Sequence, residues 1–332
     1  MSTLKPDKIM KVMSGYMASQ CVFTAINMDI FTRLGRGLGI SELAELTGMT
    51  KYGTEFLMTN LVNEGWVKCG KNGLYRNTRD VEESLTGKYP ELDMRDASRF
   101  LARMSYPSWQ NLGNALRGKN PPRGNLEFTS EEWGVFTRGV GAITRPTARA
   151  LPRKYNFEKH RRVLDVGGGW GNFLVEILGV YPKLEATLFE LPNAAAVARK
   201  RFEDHALAPS IQIVEGDFFI DALPTDHDVV LVANVVHHYP PEKNREMLMA
   251  IRKSVSPRAI LLVVDYLSGV KGINKTIVYR WFGEFLQFSG GEGRGYSQQE
   301  VCGLLAETDW KVMQTIRLTS HTSCIVAEAI GV

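Results

Sequence analysis

Asp165-Val166-Gly167-Gly168-Gly169-Trp170-Gly171-Asn172 joins an apolar run beginning at Val163 to a helical stretch over residues 173–178. A glycine-rich turn between strand and helix lets the backbone approach a ligand closely, at the carboxyl end of a sheet where α/β folds bind their ligands. The residues around it fit such a sheet. Short apolar strands at 163–166, 186–189, 211–214, 229–232 and 260–264 alternate with helical stretches. That alternation predicts an α/β fold with a parallel sheet covered by helices on both faces.

The spacing of the glycines narrows the ligand. The dinucleotide fingerprint G-x-G-x-x-G/A, counted from Gly167, puts its last position on Asn172. Asn172 breaks it, which argues against a nicotinamide enzyme. The spacing present is D-x-G-x-G-x-G, from Asp165 through Gly167, Gly169 and Gly171. It resembles the S-adenosylmethionine loop of class I methyltransferases.

The other strand ends carry chemistry in the same order. The second ends in Phe189-Glu190-Leu191-Pro192, one strand–helix–strand unit after Asp165. A carboxylate there can accept both ribose hydroxyls of a nucleoside. The third runs into Glu215-Gly216-Asp217-Phe218-Phe219, an acid and an aromatic suited to the amine and ring of an adenine. The fourth runs into Asn234-Val235-Val236-His237-His238-Tyr239. A histidine at a strand's carboxyl end faces the crevice, and its ordinary pKa suits it to proton abstraction. A structural or metal-binding histidine is the competing reading; no partner at metal-ligand spacing stands near in sequence.

The first third reads as helices over 9–34, a helix SELAELTG capped by Ser41 and stopped by Gly48, and a helix from Lys51 to Glu64 capped by Thr50. A hairpin follows: Trp66 to Cys69, a turn at Gly70 to Gly73, then Leu74 to Arg76. This is a winged-helix order. The helix that would read DNA, KYGTEFLMTNLVNE, has one lysine and two glutamates. Reading DNA needs a basic helix, so a packing or dimerisation module is favoured over a ligand-sensing regulator. Residues 95–150 read as helical with a Pro/Gly-rich break over 118–124, and are dense in aromatics that pack a core or line a pocket.

With 332 residues, 44% hydrophobic and 23% charged, the chain has material for two domains and a core. A net charge of +4 is too small to argue for nucleic acid or a membrane surface. Its four cysteines form no CxxC pair, and no apolar run approaches the length of a membrane span. The expectation is a cytoplasmic protein with reduced thiols.

Taken together, DVGGGWG, FELP, GDFF, NVVHHYPPE, VVDYL and GGEGRGYS resemble, in order, the small-molecule O-methyltransferases of the caffeate and acetylserotonin type. The resemblance implies a winged-helix dimerisation domain over 1–95, a helical connector over 96–150 contributing to the substrate pocket, and a Rossmann-like class I methyltransferase domain over 151–332. It implies a homodimer that takes S-adenosylmethionine, with Asp165, Gly167, Gly169, Gly171, Glu190, Leu191, Asp217, Phe218 and Asn234 around the cofactor. His237 falls on the catalytic-base position, flanked by Asp265 and, as best match to the second acid, Glu292. Trp281, Phe285 and His238 are substrate candidates, and no metal is required. Three departures stand out: the family usually has His-Asp where this chain has His237-His238, a basic residue common three positions after the fourth strand's core has no match here, where Ala233 or Asn234 stands, and GGEGRGYS is about one residue longer than the family's GG-x-E-R-T. Relatives with such changes include C-methyltransferases, so methylation of carbon is the alternative to methylation of a small aromatic hydroxyl compound.

Overall fold

Residues 6–118, 127–289 and 292–331 are described in the computed structural model of the chain, and they fall into two units that part between Met104 and Ser105. The first unit holds α1 (Pro6–Met13), α2 (Gly15–Asn27), α3 (Ile30–Arg33), α4 (Ile40–Thr47), α5 (Lys51–Asn63), β1 (Val67–Cys69), β2 (Tyr75–Asn77), α6 (Arg79–Leu85) and α7 (Arg95–Phe100). The helical periodicity over 9–34 is cut at Asp29, whose φ is 56°. Thr50 Oγ1 accepts from Gly53 N, and left-handed Gly48 ends α4. Ser41 is not the cap of α4: the cap lies two residues earlier, at Gly39, whose carbonyl accepts from Leu43 N. Strands β1 and β2 pair antiparallel, and Leu38 bridges to Tyr75 beside them. Ile30, Phe31, Leu34, Leu57, Met58 and Leu61 form the core beneath.

The second unit is built on one sheet. It comprises α8 (Tyr106–Trp109), α9 (Leu112–Ala115), α10 (Ser130–Lys154), β3 (Arg162–Val166), α11 (Asn172–Val180), β4 (Glu185–Glu190), α12 (Pro192–Phe202), β5 (Ile211–Glu215), β6 (Val229–Ala233), α13 (Pro241–Ser254), β7 (Ile260–Asp265), β8 (Leu267–Ser268), α14 (Lys275–Phe288), β9 (Tyr296–Ser297), α15 (Gln298–Glu307), β10 (Trp310–Arg317) and β11 (Ser323–Ala329). Of the Pro/Gly-rich stretch 118–124, only Gly118 is among the described residues. The sheet order is β10-β11-β7-β6-β3-β4-β5. Five strands are parallel, as the alternation predicts. The sheet is not wholly parallel, because β11 enters antiparallel beside β7 and pairs antiparallel with β10.

Both faces of the sheet are buried, as a sheet lined by helices on either side requires. Period-2 alternation sends Leu164, Val166, Val230, Val232, Leu261 and Val263 to one face, against Met247, Leu248 and Ile251 of α13 and Leu304 and Leu305 of α15. It sends Val163, Leu188, Val229, Leu231, Leu262 and Val264 to the other, against Leu151 of α10, Leu174 and Ile177 of α11, and Ala198 of α12. The chain leaves β3 toward β4 and β5, then returns with β6 on the other side of β3. That reversal opens a crevice at the strands' carboxyl ends. Among the described residues no helix is long and apolar enough to cross a membrane.

Candidate active site

The crevice begins at the glycine loop. Gly167, Gly169 and Gly171 have φ of 71°, 53° and 73°, a left-handed region that side chains disfavour. Gly168 has no such φ, but a Cβ there would lie 2.5 Å from Asp165 Oδ2 and 2.3 Å from Leu188 Cδ1. The loop is also anchored from below. Glu190, at the end of β4, accepts from Gly169 N at 2.8 Å through Oε2 and from Leu191 N at 2.8 Å through Oε1. Burial raises its pKa, and these two N–H donors oppose the rise. Asp165 is fully buried, and neither of its carboxylate oxygens has a partner. Burial first, and then the charge of Glu190, push its pKa up to about 8.

The cleft spans roughly 1080 Å³ of atom-free space, its solvent-open mouth included. Its walls include Gly167 to Trp170, Glu190, Leu191, Asp217, Phe218, Asn234 and His238. Trp133, Phe136 and Thr137 of α10 line it as well. Asp217 Oδ1 accepts from Phe219 N at 2.9 Å, and Tyr239 meets Phe218 edge-on with centroids 5.8 Å apart. Asn234 takes φ 58°, donates its backbone N–H to Val264 O, and keeps a buried side-chain oxygen without a partner.

Beside the cleft, a turn after β6 carries the two histidines. His237 is 5% exposed, and its Nδ1 lies 2.8 and 3.0 Å from the carboxylate oxygens of Asp265 at the end of β7. Phe285 of α14 stacks on the imidazole, with centroids 3.6 Å apart and planes within 8°. His238 lines the cleft, and its Nδ1 lies 2.8 Å from Ser289 Oγ. Burial, then neighbouring His237, hold its pKa well below the ordinary histidine value. Glu292 is exposed; its backbone N–H bonds to Ser289 O, and its carboxylate is not bonded to His237. Trp281 is half-buried against Tyr266, with centroids 5.3 Å apart. Among the described residues no three His, Cys, Asp or Glu side chains form a metal-binding cluster.

Several side chains that shape the site lie outside the sequence reading. Asn244 of α13, wholly buried, donates through Nδ2 to Val236 O, Tyr239 O and Tyr296 Oη. Tyr296 donates its hydroxyl to Tyr239 O, so both clamp the histidine turn. Arg201 of α12 reaches back to Trp170 O and to Asn172 Oδ1, and Asn172 donates to Gly141 O. The only signal for Asn244 and Arg201 is a polar residue inside an amphipathic helix, which ordinarily reads as surface.

Comparison with known proteins identifies the family. Residues 126–310 match the O-methyltransferase domain and residues 10–80 the O-methyltransferase dimerisation domain. The chain is 26% identical over 322 residues to 3-hydroxy-5-methyl-1-naphthoate 3-O-methyltransferase of Streptomyces sahachiroi, covering 95% of this chain and 92% of that protein. It is 26% identical over 336 residues to acetylserotonin O-methyltransferase of Gallus gallus, covering 94% and 95%. The structure of human N-acetylserotonin methyltransferase in complex with SAM superposes with a TM-score of 0.88 at 22% identity, over 99% of both chains. Mitomycin 7-O-methyltransferase MmcR gives 0.84 at 21% identity, over 97% of both.

Proposed function

We propose that this chain, which belongs to the O-methyltransferase family, transfers the methyl group of S-adenosylmethionine to a hydroxyl of a small aromatic or polyketide-like acceptor, with His237 as general base. One observation carries the reading: a buried imidazole paired through Nδ1 with a buried carboxylate, at a strand end bordering the glycine-loop cleft. Its relatives' names support the acceptor class, a hydroxynaphthoate for one and acetylserotonin for others.

The residues present fit the cofactor. Gly167, Gly169 and Gly171 leave the loop backbone bare of side chains, and Gly168 has no room for one. Glu190, Leu191, Asp217, Phe218 and Asn234 line the same space, above buried Asp165. The orphaned side-chain oxygen of Asn234, in the cleft wall, is a partner for a bound polar ligand or its waters. Bound S-adenosylmethionine provides an electrophilic methyl on a sulfonium.

The protein's part is to position and to move a proton. Asp265 accepts the Nδ1 proton of His237, which fixes the tautomer and leaves the Nε2 lone pair free. A phenol with a pKa of about 10 is a poor nucleophile until deprotonated. Nε2 takes its proton, and Asp265 stabilises the imidazolium that forms. The aromatic residues of α14 and α10 keep water out, which favours a step in which charge is lost. No ion is needed to activate the hydroxyl.

The first unit serves to pair subunits. None of the eight residues of α1 is buried, and Met10, Val12 and Met13 are more than half exposed, an apolar face that a second copy covers. The same reading puts the enzyme in a reducing cytoplasm, since its four cysteines are free. His237→Ala is the test of the base: cofactor affinity is retained and turnover of a phenolic acceptor is lost by roughly 10²–10⁴-fold. Full turnover with a carbon-methylated product transfers the reading to a C-methyltransferase.

A further inference from the structure

One buried polar cluster has no part in the chemistry above. Glu284 and Gln287 of α14 lie three residues apart and so share a helix face; they are 7% and 1% exposed. Glu284 Oε2 accepts from Ser105 Oγ at 3.0 Å and from Trp109 Nε1 at 2.5 Å. Its Oε1 has no partner, and neither amide atom of Gln287 has one. Leaving a buried polar atom bare costs roughly 1–3 kcal/mol, so three on one face call for an explanation. Among the described residues no cationic side chain acts on Glu284, while Trp281, Phe282, Phe285 and Phe288 surround it on the helix.

The cluster is also built. Gly283 makes room for the indole that holds the carboxylate: a Cβ there would come within 2.8 Å of Trp109 Cη2. Ser105 closes a π-helical stretch, Leu101–Ser105, a distortion that recurs at functional sites. It stands close to the chemistry as well. Phe285, next in the chain, stacks on His237, and Phe288 packs on Phe136 in the cleft wall, with centroids 6.2 Å apart.

We propose that Glu284 is a specificity determinant for the methyl acceptor: its free Oε1, with Gln287 beside it, receives an ammonium or N–H group carried by the aromatic hydroxyl compound. The inference rests on the methyl-transfer reading and names the acceptor's second functional group. A carboxylate without a cation on its own chain is completed by a cationic or strongly donating ligand. The two donors on Oε2 orient it, and they oppose the rise in pKa that burial imposes on it. Gln287, which can donate and accept, suits an adjacent polar substituent.

The test uses the full-length enzyme saturated with S-adenosylhomocysteine. Calorimetry gives the Kd of hydroxyindoles and hydroxynaphthalenes, each with and without an aminoalkyl or acylaminoalkyl arm. The expected result is at least tenfold tighter binding of the armed member of each pair. Glu284→Gln, folded by circular dichroism, cuts the preference for the ammonium arm to within about threefold and leaves the unarmed compounds unchanged. Trp109→Phe, which keeps a ring but removes the N–H, lowers the preference without abolishing it. Equal binding of armed and unarmed compounds, no binding of either, or an arm preference intact in Glu284→Gln overturns the proposal. Methyl transfer is scored separately in the same panel: loss of all transfer with the arm preference present counts against the reaction and not against this site.

Discussion

Replacing Asp265 by asparagine isolates what the carboxylate does for His237. The substitution keeps size and shape at a position that is 1% exposed, and its neighbour Tyr266 N can still bond to the side-chain oxygen it now uses at 2.7 Å. What disappears is the charge 2.8 Å from Nδ1. An imidazolium and a carboxylate whose charge centres are about 4 Å apart attract by about 4 kcal/mol at an effective dielectric constant of 20. At 1.36 kcal/mol per decade this is about three decades for a fully formed imidazolium. Only part of that charge exists in the transition state, so kcat for a phenol is expected to fall roughly 10²–10³-fold. The amide can also turn its NH₂ toward Nδ1, which moves the ring proton to Nε2 and removes the base. Neither His237 nor Asp265 is among the residues lining the glycine-loop cleft, so the cofactor's Kd is expected to stay within about twofold. Stopped single-turnover methyl transfer with saturating cofactor, alongside a calorimetric Kd, reads both quantities. A kcat within tenfold of the parent, or a cofactor affinity lost along with kcat, shows that Asp265 does not act through the charge on His237.

Gly168→Ala forces a methyl within 2.5 Å of Asp165 and 2.3 Å of Leu188, so it costs about 1–3 kcal/mol in overpacking and weakens cofactor binding, read by thermal melting and titration. Asp165 binds a proton up to about pH 8 in the folded protein but only to about pH 4 unfolded. Its contribution to stability is therefore complete below pH 4 and lost as the pH rises through 8, by at most roughly 1.4 kcal/mol per pH unit. Asp165→Asn should flatten the fall in melting temperature of the cofactor-free enzyme between pH 6 and 8.5; an unchanged slope contradicts the assignment. Asn244→Ala removes three hydrogen bonds from the histidine turn and should cost about 2–4 kcal/mol in denaturant titration, with kcat falling more than cofactor affinity.

The sheet is legible because each parallel strand is an apolar run buried on both faces, and because the glycine loop and three acids punctuate its carboxyl ends. The antiparallel pair β10 and β11 is not. Edge strand β10 carries Lys311, Gln314 and Arg317 and buries little beyond Trp310, so it has no apolar run to mark it. Pairing across the strand ends escapes the sequence for a different reason. Asp265 meets His237 because β6 and β7 are neighbours in register, whereas Glu292 follows a helix whose packing sets its direction. Asn244, Glu284 and Gln287 read as surface residues of amphipathic helices, and only the fold shows that they are buried.

If His237 removes the acceptor's proton, as proposed, the cost of deleting it depends on how acidic the acceptor is. Single-turnover methyl transfer is measured for the parent and for His237→Ala with two acceptors of one scaffold, an ordinary phenol of pKa about 10 and a phenol acidified enough to be ionised at the assay pH. The expected loss is roughly 10²–10⁴-fold for the ordinary phenol and within about tenfold for the ionised one. Equal losses for both, or none for either, contradict it.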